Sequence, residues 1–183
     1  MDDSLAIIFA TIVAILLMFI FPLMDTWERQ DDLSYMLAYS IVVDFVDTVR
    51  NTGYMTESMI TNFEEQLAAT GNTYQIQYEH REIVYMPLGG NKYQTGYLYH
   101  FNDEIEDAIK EDYAEYIAKN PGVTNYDPRY ANFEKGDYFF ISIKNTNKTQ
   151  STIVKEFLYA STMETFKIGV PYGGMVRNSV ELE

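Results

Sequence analysis

LAIIFATIVAILLMFIFPLM, residues 5–24, decides the reading of this chain: it carries no charge and one polar side chain, Thr11. A helix of about twenty such residues, rising about 1.5 Å each, crosses the roughly 30 Å hydrocarbon core of a bilayer. The competing reading is a cleavable secretory signal, which has a basic n-region, an apolar core of about 7 to 15 residues and a small-residue cleavage site. Here Asp2 and Asp3 stand in the n-region, the apolar run is longer, and FPLM at residues 21–24 offers no small-x-small site. The stretch is read as a retained membrane anchor, residues 1–24.

Working outward, residues 25–50 contain neither Gly nor Pro. The anchor is therefore expected to run on as a helical stalk over residues 25–53, with a kink at Pro22, which lacks one backbone donor. Projected at about 100° per residue, Ile41, Phe45, Ala38, Val49, Val42, Tyr35, Val46, Tyr39 and Val43 fill an arc of roughly 200°, whereas one packing face needs about 100°. Two explanations are open: a helix lying deep in a cleft of its own domain, or a helix with two partners. On the second, Tyr35, Tyr39, Val42, Val43 and Val46 are candidate subunit contacts. Asp2 and Asp3 join them if one pairs with the terminal amine of an adjacent copy. Otherwise they are acids favourably placed at a helix N-terminus, worth about 0.3–1 kcal/mol.

The residues after Gly53 suffice for one globular domain, 54–183, with a real core. Net charge is −14 and no Lys/Arg run makes a basic stripe, which argues against nucleic acid as a partner. Such a surface is also repelled by anionic headgroups. The absence of cysteine excludes disulfides and thiolate chemistry. Sixteen tyrosines against one tryptophan suit surfaces that are wet in one state and packed in another, or the faces of a sheet. Arg29 alone among nearby acids leaves the positive-inside rule undecided. The short N-terminal tail and large acidic domain favour a cytoplasmic N-terminus with the domain outside.

The stalk is expected to stop at RNTG, residues 50–53, with Gly53 in the left-handed C′ position. Thr56 then caps a helix carrying Met59, Ile60, Phe63 and Leu67 at helical spacing, closed by Thr70, Gly71 and Asn72. From Tyr74 the period becomes two: strand to Pro87, turn at residues 89–91, strand from Tyr93 to Phe101. This hairpin is expected to pack on the stalk. Asn102 is placed as the cap of a helix to Lys119, with Ile105, Ile109, Tyr113 and Tyr116 or Ile117 buried. Residues 120–135 read as a surface loop and YFFISIK, 138–144, as a strand. A short helix through Ile153, Val154, Phe157 and Leu158 follows. The last element is expected to be a hairpin of Phe166, Ile168 and Val170 against Met175, Val176 and Val180. The fold class is α+β: a long N-terminal helix packed against a small antiparallel sheet with short helices.

Candidate chemistry is thin. The only histidines, His80 and His100, come close if their strands pair, and are read as sheet-surface residues in preference to a ligand or proton-transfer pair. No HExxH, phosphate-cradling Gly loop, GxSxG or EF-hand spacing occurs. Asp103, Glu104, Glu106, Asp107, Glu111, Asp112 and Glu115 supply oxygen ligands of the kind calcium takes, but helical spacing scatters them around the axis. They are read as a solvated face. Asn147-Lys148-Thr149 fits a glycosylation sequon, a common pattern. No catalytic residue, metal or cofactor is assigned.

An apolar N-terminal helix continuing as an amphipathic stalk into a small α+β domain, closed by DFVDTVRNTG at residues 44–53, resembles the pilin-like proteins of type IV pilus, type II secretion and Tad systems, in particular the TadE-like minor pilins. The likeness covers residues 1 to about 101. It implies a non-enzymatic, membrane-anchored structural subunit, held in the membrane by residues 5–24, then bundled with other pilin-like subunits in an extracellular filament or on an assembly platform. The chain departs from the family in lacking a basic leader ending in Gly or Ala, its first glycine being Gly53, and in having no acid inside the apolar run. The alternative from another class is a single-pass sensor or accessory protein whose extracytoplasmic domain binds a ligand or partner.

Overall fold

The computed structural model describes residues 2–90, 92–162 and 168–179. Asn91, Phe166 and Val180, and the side chains of Asp2 and Asp3, fall outside what is described. One α-helix, α1, spans Asp2–Thr52 and passes through Pro22 unbroken, the Thr26 hydroxyl donating to the Pro22 carbonyl at 3.0 Å. Its first half is long and apolar enough to cross a membrane, and none of it is buried against the rest of the chain. α1 ends where sequence placed its end: Gly53 takes φ +77° and its N–H returns to the Val49 carbonyl at 2.8 Å.

A two-residue strand, β1 (Met55–Thr56), leads into α2 (Glu57–Ala68), capped by the Thr56 hydroxyl, which accepts from Met59 N–H. Phe63 and Leu67 are its buried residues. β2 (Tyr74–Gly89) and β3 (Lys92–Phe101) form the expected hairpin; α3 (Asn102–Lys119), β4 (Arg129–Tyr130), β5 (Tyr138–Asn145), α4 (Gln150–Tyr159) and β6 (Gly169–Met175) follow. The fold is α+β. The main sheet is antiparallel in the order β3-β2-β5-β6, and β1 pairs with β4 in a separate ribbon.

Three expectations are corrected. The hairpin meets the stalk only at its root, where the Tyr78 ring of β2 lies 6.4 Å from the Phe45 ring: β3 is the far edge, and α1 packs chiefly on β6 and β5. β5 alternates cleanly, Phe139, Ile141 and Ile143 pointing at the helix, and this regular, doubly paired strand is what α1 can seat against. The final hairpin is a single strand, β6, paired along its length with β5. Asn102 does not cap α3. β3 stops at Phe101, opposite Glu79, leaving the next β2 backbone groups unpaired. The Asn102 amide completes the ladder, accepting from Tyr78 N–H at 2.7 Å and donating to the Ile76 carbonyl at 2.9 Å. Three further side chains differ in placement: Tyr113 is exposed, and Tyr130 and Phe133, within the expected surface loop, are buried.

The buried apolar residues form one cluster: Ala38, Val42, Phe45, Val46 and Val49 of α1 meet Phe63 of α2, Ile105 and Ile109 of α3, and the inner faces of β5 and β6. Phe45 stacks on Phe63 with ring centroids 4.4 Å apart. The segment after β6 returns to the stalk. Arg177 N–H donates to the Arg50 carbonyl and Arg50 Nε donates to the Met175 carbonyl, at 2.8 and 2.9 Å.

Gly53 sits under this return, and a Cβ there would lie 2.4 Å from the Asn178 carbonyl oxygen. Gly53→Ala therefore combines left-handed strain with a backbone collision, together costing about 2–3 kcal/mol. The expected readout is a lower melting temperature with faster proteolysis near residue 177. Unchanged melting would refute this account of the helix end.

Candidate functional site

Two places attract attention: the paired histidines and the free surface of the stalk. His80 and His100 face each other across β2 and β3, with ring centroids 5.3 Å apart. The strand pairing brings them together as the sequence suggested, but His80 is not on the surface; it is fully buried. Its Nδ1 accepts from the Tyr130 hydroxyl at 2.7 Å and its Nε2 donates to Asp137 Oδ2 at 3.0 Å. The ring of Phe133 closes over it at 4.6 Å, edge to face. Asp137, also buried, accepts from Ile83 N–H at 2.9 Å and Glu134 N–H at 2.8 Å. Half-buried His100 lies between Glu104, 2.8 Å from Nδ1, and Glu82, 3.2 Å from Nε2.

Both nitrogens of His80 are thus engaged and neither reaches solvent. Burial lowers the His80 pKa despite the hydrogen bond to Asp137, and burial raises that of Tyr130. The neutral imidazole is the form that satisfies this network. The cluster ties the end of the 120–137 connection to β2; it presents no atom to a substrate. Sequence reasoning missed its members Tyr130 and Asp137 because their loop has no periodicity to mark them.

A lowered His pKa has a definite sign. At neutral pH both folded and unfolded states hold His80 uncharged; as pH falls through about 6.5 the unfolded state takes up a proton that the folded state refuses, so stability declines toward acid. The expected observation is a fall in melting temperature of the micelle-bound chain between about pH 7 and 5 that is shallower in His80→Gln. Parallel pH profiles in the two proteins would refute the role of His80.

The acidic residues of α3 do not converge: Asp112 accepts from the Tyr126 hydroxyl and Arg129 N–H, Glu104 meets His100, and Asp107 pairs with Lys110. Among the described residues no three metal-ligating groups share a site. Nor is the sequon amide free. Asn147 Nδ2 donates to Asn72 and its Oδ1 accepts from Thr73 N–H, both at 2.9 Å, and Thr149 caps α4.

On the stalk, the candidate contacts separate. Val42 and Val46 are fully buried, and Val43 half-buried, against the chain's own domain. Val42 and Val46 are thereby corrected: the inner faces of β5 and β6 occupy the side where a second subunit was expected. Tyr35 and Tyr39 remain 42% and 44% exposed, stacked on each other, with Tyr39 edge-on to Tyr172 of β6. On the opposite side lie residues not singled out from sequence. Leu33, Met36 and Leu37 are 60%, 65% and 56% exposed. At about 100° per residue they span roughly 100° of the helix, centred opposite Val42, and on that face Thr26 and Arg29 separate them from the apolar residues 5–24. Their i, i+3, i+4 spacing was the available signal. It lay outside the arc drawn around Val42.

No protein-family model matches the chain, and no curated protein or solved structure is significantly similar to it.

Proposed function

We propose that the chain is a non-enzymatic, membrane-anchored structural subunit of pilin-like type, whose stalk packs against other helices of an assembly. The observation that carries this is the stalk's second apolar face. Its own domain covers the Val42 side, and Leu33, Met36 and Leu37 stand uncovered on the other, with Leu33 about 14 Å beyond Met24 at about 1.5 Å per residue. Isolated exposed apolar residues need no explanation, but three contiguous ones on a helix continuous with an anchor suit helix-to-helix packing. A cytoplasmic N-terminus with the domain outside fits this reading, as does transfer into an extracellular filament.

The accessory or sensor reading is favoured by a different surface. β3 is an edge strand whose Tyr93, Tyr97, Tyr99 and Phe101 are exposed, the chemistry of a partner-docking edge.

Two measurements separate them. Intact cells are sheared, released filaments are sedimented, and the chain is located and its N-terminus sequenced. Because the chain has no cysteine, Leu37→Cys provides one reporter thiol. A structural subunit is expected in the sheared fraction, with Leu37→Cys cross-linking to a neighbouring helix and Tyr113→Cys not. Retention in membranes with no Leu37 cross-link would sink the proposal.

A further inference from the structure

The short helix α4 leaves its largest apolar side chain, Phe157, on the outside. Its stalk side is mixed: Ser151 and Thr152 are buried and Val154 and Leu158 half-buried, the hydroxyls of Thr149 (3.0 Å) and Ser151 donate to Asp31 Oδ2, and Lys155 pairs with Glu28. Its outward side carries Ile153 and Phe157, the latter 82% exposed, with Tyr159 also exposed at its end. A helix seated on a soluble domain buries its Phe and shows its Ser.

The polar contacts also fix where that apolar side stands. Asp31 meets the start of α4 and Glu28 meets Lys155, so α4 runs down the stalk toward the membrane-spanning stretch. With Met24 closing the apolar run, Glu28 lies about 6 Å above it, at about 1.5 Å per residue. Phe157, two residues beyond Lys155, stands about 3 Å lower again. The headgroup layer occupies roughly 5–7 Å on each side of the hydrocarbon core, so this is its depth. Trp27, the only tryptophan, lies at the same level, where Trp and Tyr collect in membrane proteins.

We infer that α4 is an interfacial helix whose Ile153 and Phe157 enter the headgroup–acyl boundary of the bilayer, giving the domain a second membrane contact beside the anchor. The occupant is lipid, and the contact is apolar in kind. Lys155 is paired with Glu28 and Lys148 with Glu156, so attraction to anionic lipid does not hold the helix down, and zwitterionic bilayers suffice. The contact fixes the height and tilt of the domain while leaving the Leu33, Met36 and Leu37 face free. The inference rests on α1 crossing a bilayer, and the test separates the two.

The full chain carrying a single nitroxide-labelled cysteine is placed in phosphatidylcholine vesicles, and collisions of the label with oxygen and with a water-soluble nickel complex are compared. The positions are Phe157→Cys, Ile12→Cys within the apolar stretch and Leu88→Cys on the distant, exposed β2. The Phe157 label is expected to show an oxygen-to-nickel ratio several-fold above Leu88 and below Ile12, unchanged by added salt. Thermal melting of Phe157→Cys should match the parent, since the side chain makes no core contact. A Phe157 label as open to nickel as Leu88, with Ile12 shielded, overturns the inference and leaves the anchor standing. Nickel access at Ile12 overturns both. Exclusion of both reagents from position 157 overturns it in favour of a protein contact.

Discussion

Asp137→Ala is expected to lower the melting temperature of the full chain in micelles by roughly 6 to 20 °C, equivalent to about 3–5 kcal/mol. The magnitude follows from counting donors. One carboxylate serves His80 Nε2, Ile83 N–H and Glu134 N–H, all within 3.0 Å. Removing it strands the buried His80 donor and two part-buried backbone N–H groups, each costing about 1–3 kcal/mol, with some relief from relaxation and from water at the part-buried pair. Asp137→Asn is expected to fall between: its one carbonyl oxygen can serve His80 and Glu134, but its amide nitrogen then faces the N–H of Ile83. The order of stability should be parent, Asn, Ala. Circular dichroism melts at neutral pH measure it, and an alanine variant melting within a few degrees of the parent would show that the network contributes nothing.

That network was legible only in part. That His80 and His100 would come close if their strands paired was readable from the pattern, because alternation in QIQYEHREIVY fixes which residues share a face. The register that sets them opposite each other is seen in the structure. What alternation cannot give is depth, since a residue on one face of a sheet is buried or exposed according to what lies over it. Here the cover comes from Tyr130, Phe133 and Asp137, contributed by a connection with no repeating pattern. Asn102 shows a second limit. Asn before an acidic first turn is a sound capping signal, yet the unpaired backbone of a strand more than twenty residues earlier claimed the side chain. α1, Gly53, the Thr56 cap and β5 were read correctly because each depends on near neighbours. The identity of the strands beneath the stalk was not legible, because strand order depends on contacts distant in sequence. For α4 the apolar residues were named from sequence, but spacing alone did not say that Ile153 and Phe157 would be left exposed while Val154 and Leu158 are half-buried.

Val42→Asp and Leu37→Asp form a matched pair on opposite faces of one helix, and they are expected to fail in different ways. Val42 has no exposed surface and lies within the main apolar cluster. A carboxylate there has no partner and no water, a penalty of several kcal/mol that adds to the lost apolar contact and consumes much of a typical stability of about 5–15 kcal/mol. The domain should melt below the working temperature or be degraded. At Leu37, more than half exposed, the same change should alter stability by no more than about 0.5 kcal/mol. If this face packs against other helices, however, Leu37→Asp buries a charge at each such contact and the chain should disappear from sheared filaments while remaining folded in the membrane. Melting curves and the sheared fraction therefore report separately on the two sides of the stalk. A Leu37→Asp chain that assembles normally would remove the second partner, and the excess apolar surface of the stalk would then need lipid, not another subunit, to cover it.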